Sequence, residues 1–459
     1  MTFFARFPLP ARRACALCPA LLLFATAAGF SGCQKSKPLQ NSRIVVDYWD
    51  KWTGFEADAI RAVVDDFNAS QTRIFVNYTS MSQIDRKLML STAGGDPPDV
   101  AGVWSRVLPA YAENNALIPL ERLAGENGIT RDRYIDVYWR MCTYRDHLWA
   151  LPSTPGSIGL IWNKKLFRDA GLDPDKPPRS IAELERFNQK LVKWRPDGRI
   201  QSIGHLPEEP GWYSNFWGYW FGGRLWDGKD RITANSPENV AAYQWLESYP
   251  ERFGADNLLA LHDGFGNFAS AQNAFFTGRV AMVLQGPWIY NFIKNYAPPD
   301  FEWDVAPFPS VDPQRFKDVS LVESDVLVIP AGARHPREAF EFIKYVNSQG
   351  PMEKLCLGQL RFSPFRETSP SFISRNPNPH IDKFIALAKS PNAIYAPQLT
   401  TWAEYSADLA NATGRVWRGS ATAREALDAV QEREQSLLDK RNERWNANAV
   451  KLTSQWNNE

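Results

Sequence analysis

The chain has 459 residues, 44% of them hydrophobic, which is more than one core commonly holds, so two lobes are expected. Its 52 basic and 51 acidic residues leave a net charge of +1, and this excludes partners that depend on a basic excess, nucleic acid and anionic membrane surfaces above all. The five histidines are scattered without metal-ligand spacing, so neither a metal nor a cofactor is expected, whereas 18 tryptophans supply an unusual stock of flat apolar faces.

Residues 1–32 read as an export signal, with Arg6, Arg12 and Arg13 ahead of the apolar stretch Ala14–Phe30, which is too short for a membrane span. Phe30-Ser31-Gly32-Cys33 resembles a bacterial lipobox, in which the signal is cut before the cysteine and its thiol is lipidated; Phe30 stands where the usual residue is aliphatic. Residues 33–42 would then be a lipidated tether, and a plain secretory signal with a free Cys33 is the alternative. Cys15 and Cys18 leave with the signal. Cys142 and Cys356 remain, either as two separate buried thiols or as a disulfide, which an exported compartment permits.

Ile44–Trp49 is a β-rich run, and Thr53-Gly54-Phe55-Glu56 has the form of a capping box opening a helix with Ile60, Val63, Val64 and Phe67 on one face. Arg73–Tyr78 is a second strand, a helix through Ile84 and Leu88 ends at Gly94-Gly95, and Pro97-Pro98-Asp99-Val100 begins a third strand. This alternation is a parallel α/β layout. Leu148–Leu151 forms one arm of a hairpin across Arg145-Asp146-His147, Ser153–Gly156 is a small-residue connector, and Ile158–Trp162 is a strand. Ser180 and Ser236 sit at helix starts. Farther on, Val280–Leu284 is an apolar strand and Gly286-Pro287 turns the chain into a helix. Trp288 is thereby held just past a strand end, where open α/β folds bind ligands.

Several blocks carry a family resemblance: YWDKWTG before a helix ending in DFN, then AGGDPPDV, AYAENNALIPL, LWALP, IGLIWNKKLFRDAGL, ITANSPENVAA, FFTGRVAM with GPW, and EAFEFIKYV. In order and spacing they are similar to family 1 extracellular solute-binding proteins of carbohydrate ABC transporters, the maltose-binding-protein type. The resemblance implies a type II periplasmic-binding-protein-like α/β fold whose chain crosses between two lobes three times. Lobe I would take residues 43–153 and 305–360 and lobe II residues 158–303 and 365–440; residues 441–459 are a polar C-terminal tail, in a stretch from Arg433 to Glu459 that reads as a surface helix. Hinges are expected at 153–157, 304–309 and 360–365.

A sugar site needs aromatic faces for the ring and planar polar groups for its hydroxyls. Candidates after strand ends are Trp49, Asp50 and Trp52, then Trp104 and Arg106. In the family the tryptophan of GPW, here Trp288, lines the sugar cleft, and the segment carrying Glu323 faces it. Glu323 interrupts an apolar strand with a charge, which costs free energy unless something pairs with it. Trp217 and Trp220, from the most aromatic stretch of the chain, and Arg366 complete the set. The expectation is a monomeric, membrane-anchored receptor outside the cytoplasm that closes on a carbohydrate and hands it to the permease subunits of an ABC importer. A glycerophosphate-type ligand is the nearer alternative, and a secreted polysaccharide-degrading enzyme the more distant one.

Overall fold

The computed structural model describes residues 43–458; the export signal, Cys33 and the tether lie outside them. Strands Ile44–Asp50, Ile74–Ser80 and Val100–Trp104 run parallel with Ile44–Asp50 between the other two. Helices Gly54–Ser70 and Ile84–Ala93 connect them. Ile60, Val63, Val64 and Phe67 are buried at helical spacing, so the apolar stripe of the first helix faces the core. The capping box expected at Thr53 does not form: Thr53 makes no side-chain cap, and the Glu56 carboxylate turns instead to Arg361, 2.8 Å away.

The sheet continues through Ser320–Val328, antiparallel to Val100–Trp104, and then the long strand Leu151–Asn163. The expected connector at Ser153–Gly156 is part of this strand. All thirteen of its residues are buried, as in strands covered on both faces. It changes partners half-way. Leu151–Ile158 pairs with Ser320–Val328, whereas Gly159–Trp162 pairs with Val280–Gln285 on one side and Trp303–Ala306 on the other.

That exchange divides the molecule into two cores. Tyr48, Val63, Val103, Leu151 and Leu327 belong to the first, and Ile158, Trp162, Met282, Trp303 and Leu321 to the second. Pro152–Ser157 and Glu323–Asp325 run side by side between them, with Glu323 opposite Gly156 and a register irregularity between Ser324 and Val326.

Two expected boundaries are corrected. Residues 304–309 are not a crossing: Trp303–Ala306 is a strand paired with residues 160–163, and Val305, Phe308, Val319 and Leu321 all pack in the second core. The chain crosses instead at 323–325. The last connection is longer than the expected 360–365, because Phe362 packs in the second core, Phe365 and Phe372 in the first, and Ile381 and Phe384 in the second again.

The C-terminal residues are helical as expected, but they are packed on the lobes and do not form a polar tail. Ala423–Asn458 is a single helix of 36 residues, about 54 Å long at 1.5 Å per residue. Its start packs Leu427 and Leu438 in the second core, and its end packs Trp456, 2% exposed, in the first. Trp456 meets Trp149 edge-on at 4.8 Å and donates its indole N–H to Asn115 at 3.0 Å. Cys142 and Cys356 are separate thiols, and burial pushes both thiol pKa values up.

Candidate functional site

A cavity of 510 Å3 lies between the two lobes, within the range of small-molecule sites. The first lobe contributes Trp52, Glu56, Trp104 and Arg106; the second contributes Trp212, Tyr213, Trp288 and Trp402; Glu323 and Arg361 come from the crossing segments. Each position follows from local structure. Trp52 and Trp104 stand at or just past the ends of parallel strands. Trp288 precedes the helix Ile289–Tyr296 and donates its indole N–H to Gln285 at 2.9 Å, which fixes the ring. The ring lies so close to the crossing strand that a Cβ on Gly156 would fall 2.8 Å from it, so only glycine serves there.

Beneath the aromatic surfaces is a buried ionic cluster. Arg361 is 3% exposed and donates to Asp325 at 3.1 Å and to Glu56 at 2.8 Å. Lys51 pairs with Asp325 at 2.9 Å and lies 3.6 Å from Asp50. Burial disfavours the Arg361 charge, but Asp325 and Glu56 outweigh it, so the group is held charged. The same cations are shared with the rings: Arg361 lies 5.0 Å from both the Trp52 and Trp288 ring centroids, and Lys51 4.7 Å from that of Trp52.

Glu323 differs from its neighbours. Its carboxylate makes no hydrogen bond or ion pair with a described residue, and burial raises its pKa while Arg361 and then Arg106 oppose the rise. Arg106 lies over the Trp104 ring at 4.3 Å and makes no hydrogen bond or ion pair with a described residue either. The cleft therefore offers one free acceptor group and one free fork of donors between aromatic faces. The described residues contain no cluster of His, Cys, Asp and Glu able to hold a metal ion.

Of the residues expected from sequence, Trp52, Trp104, Arg106, Trp288 and Glu323 meet in this cavity. Five do not line it. Trp49 packs half-buried against the first core. Asp50 lies behind the cavity surface, 4% exposed, where it accepts from the Tyr48 hydroxyl; burial raises its pKa, and Lys51 draws it back. A Cβ on Gly102 would come 2.3 Å from Asp50, so that glycine makes room for the carboxylate. Trp217 and Trp220 are turned inward by their short helix and pack on Phe308 at 5.4 and 5.0 Å. Arg366 is drawn to the first lobe by a bond from Nε to the Tyr134 carbonyl and lines a different hollow.

The sequence reading missed Arg361, Glu56, Trp212, Tyr213 and Trp402. GQLRFSPFR holds two arginines five residues apart, and Arg361 is the one that enters the site. The aromatic stretch did flag the right loop, and its cleft-facing members are Trp212 and Tyr213 rather than Trp217 and Trp220.

Comparison with known proteins gives concordant results. The family model described as bacterial extracellular solute-binding protein matches residues 56–353. An uncharacterised ABC transporter extracellular-binding protein of Pyrococcus horikoshii is 22% identical over 379 residues, covering 76% of this chain and 78% of that protein. The sn-glycerol-3-phosphate-binding periplasmic protein UgpB of Pectobacterium atrosepticum is 22% identical over 424 residues, covering 86% and 91%. Among solved structures, CpMnBP1 with mannotriose bound superposes with a TM-score of 0.75 at 25% identity, covering 85% of this chain and 99% of that one.

Proposed function

The chain belongs to the bacterial extracellular solute-binding proteins, and on that premise we propose that it captures a carbohydrate in the inter-lobe cleft and delivers it to an ABC importer. The observation that carries this reading is the composition of the cleft. Trp52, Trp104, Trp212 and Trp288 present apolar faces to a pyranose ring, and Glu323 and Arg106 present planar groups able to bond adjacent hydroxyls. The similarity to a mannotriose-bound structure agrees with it.

Closure of the lobes is the mechanism. A ligand touching Trp52 and Trp104 on one side and Trp288 on the other binds the closed form better than the open one and shifts the population toward it. The flexing segments are Pro152–Ser157 and Glu323–Asp325. No bond of the ligand is broken. The receptor acts as a monomer outside the cytoplasm, anchored through lipidated Cys33, and presents both lobe rims to the permease.

A glycerophosphate ligand is the second reading, favoured by the free guanidinium of Arg106 and by the similarity to UgpB. Phosphate prefers paired guanidinium groups, and Arg361 is already committed to Asp325 and Glu56, with Glu323 beside it. The cleft suits a neutral polyhydroxyl ligand better. A thermal-shift screen of mono- and oligosaccharides alongside sn-glycerol 3-phosphate, followed by chromatography of the incubated sugar, tests these readings. A saturable shift with a sugar recovered intact is expected. A shift with glycerol phosphate alone would replace the ligand class, and release of shorter sugars would overturn the receptor role.

A further inference from the structure

Outside the cleft, the segment from Pro391 to Gln398 borders two more hollows. The first, of 320 Å3, is bounded by Arg140, Tyr219, Arg224 and Trp226. The second, of 240 Å3, continues past Arg224 to Phe316 and Asn392. Tyr395, Ala396 and Gln398 line both the cleft and the first hollow. Arg140, Tyr219 and Arg224 line both hollows. The three spaces thus share walls in series along residues 391–398, and the first hollow is the neighbour of the cleft across Tyr395.

The chemistry of the hollows is similar to that of the cleft. Trp226 is part-buried, and its indole N–H is shielded from solvent, so the hollow meets the apolar part of its ring. Arg224 is exposed, and its guanidinium makes no hydrogen bond or ion pair with a described residue, while its carbonyl accepts from Asn239 at 2.7 Å. The Arg140 guanidinium lies 5.9 Å from the Tyr395 ring centroid and is held by Asp136 at 3.0 Å. Gln398, at the border, is fixed by bonds from its amide nitrogen to the carbonyls of Arg140 and Thr143. Aromatic surface with fork-shaped donors is what the cleft offers a sugar ring, and here it is offered again beyond Tyr395.

We propose that this trough is an exit subsite for the distal end of a linear oligosaccharide whose leading rings occupy the cleft. The inference rests on the carbohydrate reading of the cleft and adds a ligand class to it: a chain long enough to pass Tyr395 and reach Trp226. A compact or single-ring sugar has no use for the trough.

The experiment is calorimetric titration of the protein with linear manno-oligosaccharides and malto-oligosaccharides of two to seven units, repeated with Trp226→Ala and Arg224→Ala. In the series that binds, the seven-unit sugar should bind at least about tenfold tighter than the three-unit sugar in wild type, and each variant should cut that advantage below about threefold while leaving the three-unit affinity within about twofold. Arg224 is exposed, so its variant carries the test if Trp226→Ala fails to fold. Affinity independent of chain length beyond three units would overturn the exit subsite while leaving the carbohydrate reading intact, and so would variants that weaken short and long sugars alike. Absence of binding by every member of both series would also overturn the exit subsite, and the carbohydrate reading would then stand or fall on the thermal screen of mono- and oligosaccharides.

Discussion

Arg361 connects the chemistry of the site to its stability. Its guanidinium touches Glu56 of the first helix, Asp325 of one crossing strand, the Thr154 carbonyl of the other, and the rings of Trp52 and Trp288. Removing one partner of a buried ion pair leaves the other charge uncompensated, which typically costs about 3–5 kcal/mol. Arg361→Leu is therefore expected to lower unfolding free energy by about that amount in chemical denaturation, and a loss under about 1 kcal/mol would show that the cluster is solvated. A second residue-scale prediction concerns Glu208 and Glu209. Burial raises both carboxyl pKa values from 4.5 to about 7. The folded state therefore holds protons that the unfolded state has released, so stability falls as pH rises from 4.5 to 7 and levels off above. His205, which burial depresses to about 4, acts oppositely, losing stability as pH falls from 6.5. Denaturation of wild type and Glu208→Gln across pH 5 to 8 separates them: the variant should show a flatter decline toward pH 7.

At the scale of elements, the last helix is the most informative. Trp445, Leu452 and Trp456 are spaced seven and four apart and fall on one face, which packs against Trp149, His147 and Arg145 of the first lobe. Trp456→Ala should release this end alone. Hydrogen-exchange protection is expected to drop over residues 441–458 and persist over 423–438; unchanged protection at the C-terminus would contradict the anchoring role assigned to Trp456. The polar residues around those three concealed their spacing in the sequence. The parallel strands and their helices were readable because their signals are local: apolar periodicity, glycine stops, and serine caps such as Ser180, which accepts from Glu183 at 3.2 Å. The crossing strands were readable only in part: Ile158–Trp162 reads as a strand and is one, but the residues before it do not. Whether Ser153–Gly156 is a connector or a strand depends on its pairing with residues some 170 positions away, and no local propensity carries that. Site residues divided along the same line. Trp288 was found because a turn and a helix start fix its direction, whereas Trp217 and Trp220 were misplaced because composition marks an aromatic stretch without saying which rings face inward.

For the whole molecule, two cores joined by a pair of antiparallel crossing strands make a cleft whose walls come from separate bodies of the fold. Direct contacts also cross the cleft, including Phe55 on the first lobe against Phe292 on the second at 6.5 Å. In the proposed mechanism, a ligand that fills the cavity adds its own contacts to both walls, and that differential affinity would drive closure. The most direct measurement is calorimetric titration of an oligosaccharide found in the thermal screen, comparing wild type, Trp288→Ala and Trp217→Phe. Loss of a central aromatic contact worth about 2 kcal/mol or more weakens binding by at least about thirtyfold, which is the result expected for Trp288→Ala. Trp217→Phe, which alters a ring inside the second core, should leave the affinity within a few-fold. Undiminished binding by Trp288→Ala would contradict the assignment of the inter-lobe cleft as the carbohydrate site.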